Sequence, residues 1–341
     1  MVAMRSFPYK ISGLIILVGI FFLADLLIGS VYISFQNIWN ALLSGNTGAD
    51  PVSVIVWQTR LPRILAAVLC GLALPLAGLL MQTFFRNPVA GPDMLGITAG
   101  AGFAVAMVTM GLGAASLSLV GNMTMITAAV AGAIAVLVLM LLVAGRLRDH
   151  ISLLILGLML GTAISAITGI LQYFSNREAL KRFIMWTFGS LGGVTWEQLA
   201  WMFPFILIGI IVAWSMTRSL NLLLAGETYA VSMGLPLRKT RWLLILVAGL
   251  LTGTITAFCG PIAFIGIAVP HVARLIFRTT DHRILIPGSM LAGVCIMLLC
   301  DMLSQAPGFE FVLPVNSITA IMGAPMVIWL LFRNNNLRQY F

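Results

Sequence analysis

The stretch MLGITAGAGFAVAMVTMGLGAASLSLVGNMTMITAAVAGAIAVLVLMLLVAG, residues 94–145, runs for 52 residues without an Asp, Glu, Lys or Arg. As helix it would be about 78 Å long, against roughly 30 Å of bilayer hydrocarbon, so it crosses a membrane at least twice. The rest of the chain extends this reading. Of 341 residues, 60% are hydrophobic and 9% are charged, where a soluble domain carries about 25% charged residues. Apolar runs at 11–30, 64–83, 94–111, 122–144, 151–172, 198–217, 242–258, 261–277, 284–303 and 313–332 predict about ten spans in one transmembrane domain over residues 1–341. These runs are continuously apolar, whereas barrel strands alternate from residue to residue. The fold class is an all-α membrane protein, a polytopic helix bundle.

Charge sets the orientation. With both termini cytoplasmic, 14 of the 19 Lys and Arg residues fall inside, among them Arg5, Arg148, Arg333 and Arg338. Arg60, Arg63, Arg177, Lys181 and Arg182 fall outside. That split obeys the positive-inside rule and favours an even number of spans. The net charge of +9 is therefore mostly topological, and no nucleic-acid partner is needed to explain it. Residues 11–30 are longer than a secretory signal core and no Ala-x-Ala site follows, which predicts a retained span. Cys70, Cys259, Cys295 and Cys300 all lie in predicted helices without CxxC spacing, as small packing residues do rather than metal ligands.

A transporter needs an energy source. A phosphate-binding P-loop requires Gly-x-x-x-x-Gly-Lys-Ser/Thr, but the one Lys-Thr pair, Lys239-Thr240, follows Arg238, so the chain carries no ATP site of this kind. Ion coupling would use ionisable groups at membrane depth. Asp25 and Asp301 are candidates, with His271 and Arg274 near a membrane edge; each carboxylate reads either as hydrogen-bonded to a neighbouring helix or as part of a proton relay. No nucleophile–base pair or metal-ligand spacing suggests an enzyme.

Three stretches carry more than hydropathy: residues 60–102, opening with RLPR and containing RNPVAGPDMLG; residues 258–288, containing GPIAFIG, VPH and DHR; and residues 313–333, containing GAP. Together they resemble, in order and spacing, the FecCD-type permease subunits of ABC importers for iron chelates, haem and cobalamin, over about residues 11 to 333. The resemblance implies a type II importer permease that works as a homodimer, with two ATP-binding cassette subunits that hold ATP and Mg²⁺ and one extracytoplasmic substrate-binding protein. The chain itself then binds no cofactor. A bacterial cytoplasmic (inner) membrane location is implied. The substrate would be a ferric siderophore or haem, with cobalamin as the alternative and an ion-coupled secondary transporter as the rival class.

The family's functional positions map onto residues of this chain. The segment at about 218–241 corresponds to the coupling helices that dock on the ATPase. There Ala225, Gly226, Ala230 and Gly234 are small enough for close approach, Glu227 offers an acceptor to a basic partner, and Gly234 with Pro236 stops the first short helix. The residues alone fit equally an amphipathic helix lying on lipid. Arg60 and Arg63 correspond to outer-face arginines that pair with acidic residues of the binding protein, a use suited to bidentate guanidinium; snorkelling to headgroups is the competing reading. Some relatives carry a further arginine where this chain has Gln305, with Glu310 nearby. Asn87 and Val89 match the cytoplasmic mouth of the pathway, Asn87 reading equally as a turn residue. In the fifth span, Gly157 and Gly161 form a GxxxG packing face. Thr162, Ser165 and Thr168 recur at helical spacing, either lining the pathway or bonding backbone carbonyls.

Overall fold

Backbone amides cannot go unpaired in lipid, so continuous apolar runs fold as helices. The computed structural model describes residues 2–29, 33–45, 50–111, 121–147, 150–305 and 312–333. Arg148, Glu310 and Arg338 lie outside the described residues, and so do the side chains of Arg5 and Arg333. In chain order the helices are α1 (Val2–Leu27), α2 (Phe35–Ser44), α3 (Pro51–Ile55), α4 (Leu61–Phe85), α5 (Ile97–Met110), α6 (Asn122–Ala144), α7 (His150–Phe174), α8 (Arg177–Thr187), α9 (Trp196–Ser215), α10 (Thr217–Leu224), α11 (Glu227–Ser232), α12 (Leu237–Cys259), α13 (Ile265–Phe277), α14 (His282–Ser304) and α15 (Val315–Arg333). Each of the ten predicted spans corresponds to one of them. Seven are long and apolar enough to cross a membrane, and three, in α5, α13 and α15, are shorter.

The short helices have local causes. The α13 segment begins at Ile265 rather than 261 because Gly260 and Phe264 both take positive φ, +76° and +66°, and Ala263 N–H is held by Asn316 Oδ1 at 3.0 Å. Before α5 the chain makes a 3-10 turn at Pro92–Leu95 and passes through Gly96 at φ +73°. The second span is longer than expected. A π-helical turn, Val56–Arg60, joins α3 to α4, so helix runs continuously from Pro51 to Phe85. Pro62 lacks an N–H; the wider turn carries the chain into it, with Leu61 N–H reaching Val56 O.

Helices α4, α12 and α14 form the interior, and α1, α6, α7 and α9 present large apolar side chains outward. Small residues set the closest crossings. A Cβ on Gly78 would lie 1.7 Å from Gly266 O, and one on Gly71 would lie 2.5 Å from Val294 Cα. The backbones of α13 and α14 therefore rest directly on α4.

Candidate functional site

The α9–α12 connection folds as two short helices at one end of the bundle. Leu220 and Leu223 seat α10, and Ala230 seats α11. Both glycines are required by backbone conformation: Gly226 has φ +110° and Gly234 φ +83°. No atom lies within 4 Å of a Cβ built at either, so room is not what selects glycine there. Gly234 ends α11, the second short helix rather than the first. Its N–H bonds Val231 O at 2.8 Å and Leu235 N–H bonds Ala230 O at 2.9 Å, the Schellman pattern.

Two further expectations are corrected at this segment. Glu227 is bound by Arg241 Nη2, 2.8 Å from each carboxylate oxygen, so this acceptor is already occupied within the chain. Ala230 is buried and offers nothing to a partner. Ala225 is exposed, and the apolar surface lies at residues the sequence reading passed over: Tyr229, Val231 and Met233, each more than half exposed.

The same end holds the predicted gate. Asn87 Oδ1 accepts from Val89 N–H at 3.0 Å, and Asn87 N–H reaches Gln82 O at 3.2 Å; Asn87 thus shapes the turn, and both residues are half-buried. The turn is fastened to α13, where His271 Nε2 lies 2.6 Å from Pro88 O. Arg274 donates to Gln82 Oε1 at 2.6 Å, and Gln82 Nε2 donates to Ile267 O at 3.0 Å. On the next residue of α4, Thr83 Oγ1 lies 2.8 Å from His282 Nε2. Asn221 of α10 meets the start of α14: its Nδ2 donates to Asp281 Oδ1 at 2.7 Å. Its Oδ1 accepts from His282 N–H at 2.9 Å and lies 2.7 Å from His282 Nδ1. Gln82, Thr83 and Asn221 escaped the sequence reading. The available signal was Gln-Thr in an otherwise apolar span, just ahead of RNPVAGP.

At the opposite end, Arg60 and Arg63 are 6% and 7% exposed. The expected outer-face placement is corrected: helix already begins at Pro51, and both arginines lie inside the protein rather than on its surface. Arg63 binds Asp301 through Nε at 2.9 and 3.0 Å and through Nη2 at 2.8 Å, and Nη2 also reaches Ser304 Oγ at 2.7 Å. Arg60 Nη1 donates to Leu26 O at 2.5 Å. Gln305 Nε2 joins the two carboxylates, 3.3 Å from Asp25 Oδ1 and 2.9 Å from Asp301 Oδ2. Both arginines line a recess of about 300 Å³ together with Gly29, Thr59, Gly192 and Gln305. Snorkelling does not describe this burial; hydrogen bonding to neighbouring helices describes Asp301.

The polar residues of α7 do not form one stripe. Thr162 and Ser165 are exposed and Thr168 is buried, and Thr162 and Thr168 bond the Leu158 and Ile164 carbonyls at 2.8 and 2.9 Å. Gly157 faces Met94 O and Leu95 Cα, which seats α7 on the 3-10 turn. Among the described residues no group of three or more His, Cys, Asp or Glu could hold a metal ion, and all four cysteines are buried and free.

Comparison with known proteins agrees with this architecture. A model of the FecCD transport family matches residues 15–333. The chain is 39% identical to the vitamin B12 import system permease protein BtuC of Salmonella paratyphi A (strain ATCC 9150 / SARB42), and equally to that of Salmonella typhi. Each match covers 82% of this chain and 84% of the relative. A solved structure, an inward-facing conformation of a metal-chelate type ABC transporter, superposes with a TM-score of 0.82 at 29% identity, covering 96% of this chain and 99% of its own.

Proposed function

The chain belongs to the FecCD transport family and is a multi-pass ABC-importer permease, and on that premise we propose that it passes a large metal chelate through a bacterial cytoplasmic membrane, driven by ATP hydrolysed on a partner. The observation that carries this reading is the α10–α11 segment. Its backbone is fixed by two positive-φ glycines, and it presents Tyr229, Val231 and Met233 outward. Large apolar side chains left exposed on one short segment suit a protein contact, and the chain has no phosphate-binding loop of its own.

The assembly is then a homodimer with two ATP-binding cassette subunits holding ATP and Mg²⁺, and one binding protein on the opposite face. Both termini share the ATPase side, as the 14 to 5 division of basic residues supports. The exposed apolar face of α7 suits a second copy, and ATP binding biases a two-state switch between outward and inward access.

Proteoliposomes containing permease, ATPase and binding protein test this with cyanocobalamin, a ferric hydroxamate and haem as probes. ATP-dependent, protonophore-resistant uptake of one of them is expected. Uptake that needs no ATPase and collapses with a protonophore, or in Asp25→Asn or Asp301→Asn, would replace the reading with ion-coupled transport. Within the chelates, the identity with the vitamin B12 permeases favours a corrinoid as the second reading beside a ferric chelate. The absorption spectrum of the binding protein isolated with its ligand separates corrin bands, a Soret band and a broad ferric band.

A further inference from the structure

The hydrogen bonds at His282 fix its proton. Asn221 Oδ1 can only accept, so ring Nδ1, 2.7 Å away, carries the hydrogen. A neutral ring then has an acceptor at Nε2, and the Thr83 hydroxyl gives its single proton there rather than to Leu79 O, which lies equally close at 2.8 Å. An unbroken polar chain therefore runs from α10 through the first residue of α14 to the last turn of α4. Four residues beyond Thr83 stands Asn87.

We propose that Asn221, His282 and Thr83 are positioning residues that carry movement of the α10–α11 segment to the Asn87–Val89 turn. The proposal rests on reading that segment as the ATPase-docking surface. Apolar contacts slide past one another at little cost. Buried hydrogen bonds do not: Thr83 and His282 are 0% and 1% exposed, so no water replaces a broken bond and a polar atom is left orphaned. Helix α11 is also tied to α12, by Arg241 on both oxygens of Glu227 at 2.8 Å. Displacement of the segment, which reaches α12 along the chain itself, is thus passed to α4 as well, through the His282–Thr83 bond. At the receiving end, Asn87 N–H on Gln82 O ties the turn to the same part of α4, and the Arg274–Gln82 bond ties that part of α4 to α13.

The test uses Val89→Cys in the complex with its ATPase. Inside-out vesicles are labelled with a membrane-impermeant maleimide, nucleotide-free and with ATP plus vanadate; the four native cysteines are buried. A switch shifted by one decade reads as about a tenfold change in labelling rate. Thr83→Val keeps the volume and deletes the donor, and is expected to cut the ratio below about twofold. Thr83→Ser, which loses a methyl but keeps the donor, is expected to retain it, the reverse of a purely packing role. Asn221→Leu should behave as Thr83→Val, with the double variant no worse than either single. A full nucleotide response in Thr83→Val overturns the proposal; should that variant not assemble, a full response in Asn221→Leu does so. A Val89→Cys reference that ignores nucleotide overturns the docking reading, and the proposal with it.

Discussion

Replacing Asp301 by Leu should destabilise the protein by about 3–5 kcal/mol, the cost of removing one partner from a buried ion pair. The structure decides where in that range each partner falls. Asp301 is fully buried, and Arg63 reaches it by three contacts of 2.8–3.0 Å. Without the carboxylate, the guanidinium keeps Ser304 Oγ at 2.7 Å and the open recess of about 300 Å³ beside it. Water can enter there, so Asp301→Leu belongs at the low end. Arg63→Met strands a carboxylate that solvent does not reach; Gln305 Nε2 at 2.9 Å still donates to it, which is weaker than a bidentate cation, so this variant belongs at the high end. The double variant Arg63→Met/Asp301→Leu leaves neither charge and should recover to within about 1–2 kcal/mol of wild type. SDS-titrated unfolding in mixed micelles measures all four proteins. Single variants within about 1 kcal/mol of wild type, or a double variant as unstable as the sum of the singles, would refute the reasoning.

Three other outcomes follow from the packing. Gly78→Val should abolish folded, monodisperse protein by size exclusion, because even a Cβ there falls 1.7 Å from the Gly266 carbonyl and the two backbones cannot separate without opening α4 from α13. Tyr229→Ala and Met233→Ala should leave the thermal transition unchanged, since both side chains are exposed, while weakening co-purification with the ATPase by about tenfold each, as truncated anchors do. Gly226→Ala should cost about 1–3 kcal/mol through its φ of +110° alone, with no steric clash. Its effect on the ratio of transport to ATP hydrolysis therefore has to be compared with a strain-free change at the exposed Ala225.

The spans were legible because their signal is additive: a long uncharged run is a helix in lipid whatever it packs against. Their ends were not. Ile265 starts α13 only because Phe264 takes a positive φ, and the second span lengthens through a π turn beside Pro62; both depend on a few local dihedrals that hydropathy averages away. The site divided in the same way. Gly226 and Gly234 were identified in the sequence as small residues for close approach, which is not their cause, since spacing cannot distinguish a glycine that makes room from one that permits a dihedral. Gly234 also reads as a helix stop, and it does stop a helix, the second rather than the first. Glu227 looked free because its partner, Arg241, is fourteen residues distant and meets it only when α11 folds back on α12. Gln82 and Thr83 carried no motif of their own. Their importance comes from Arg274 and His282, roughly two hundred residues later.

The arginines show the sharpest consequence of such unseen pairing. If the proposed binding-protein docking uses Arg63, the partner's carboxylate must compete with Asp301 for one guanidinium, and the free energy of releasing Asp301 is subtracted from docking. Neutralising the competitor should then tighten binding. Asp301→Asn keeps the shape and weakens the internal bond, and a release cost lower by about 1.4 kcal/mol is a tenfold gain in affinity. Arg63→Gln should abolish that gain. Surface plasmon resonance with permease in nanodiscs, at low salt where such charge pairs are least screened, reads both. An Asp301→Asn variant that binds no more tightly than wild type would mean that Arg63 is a structural residue of this end of the bundle, held by α14 in every state. Docking would then fall to the rim around the recess.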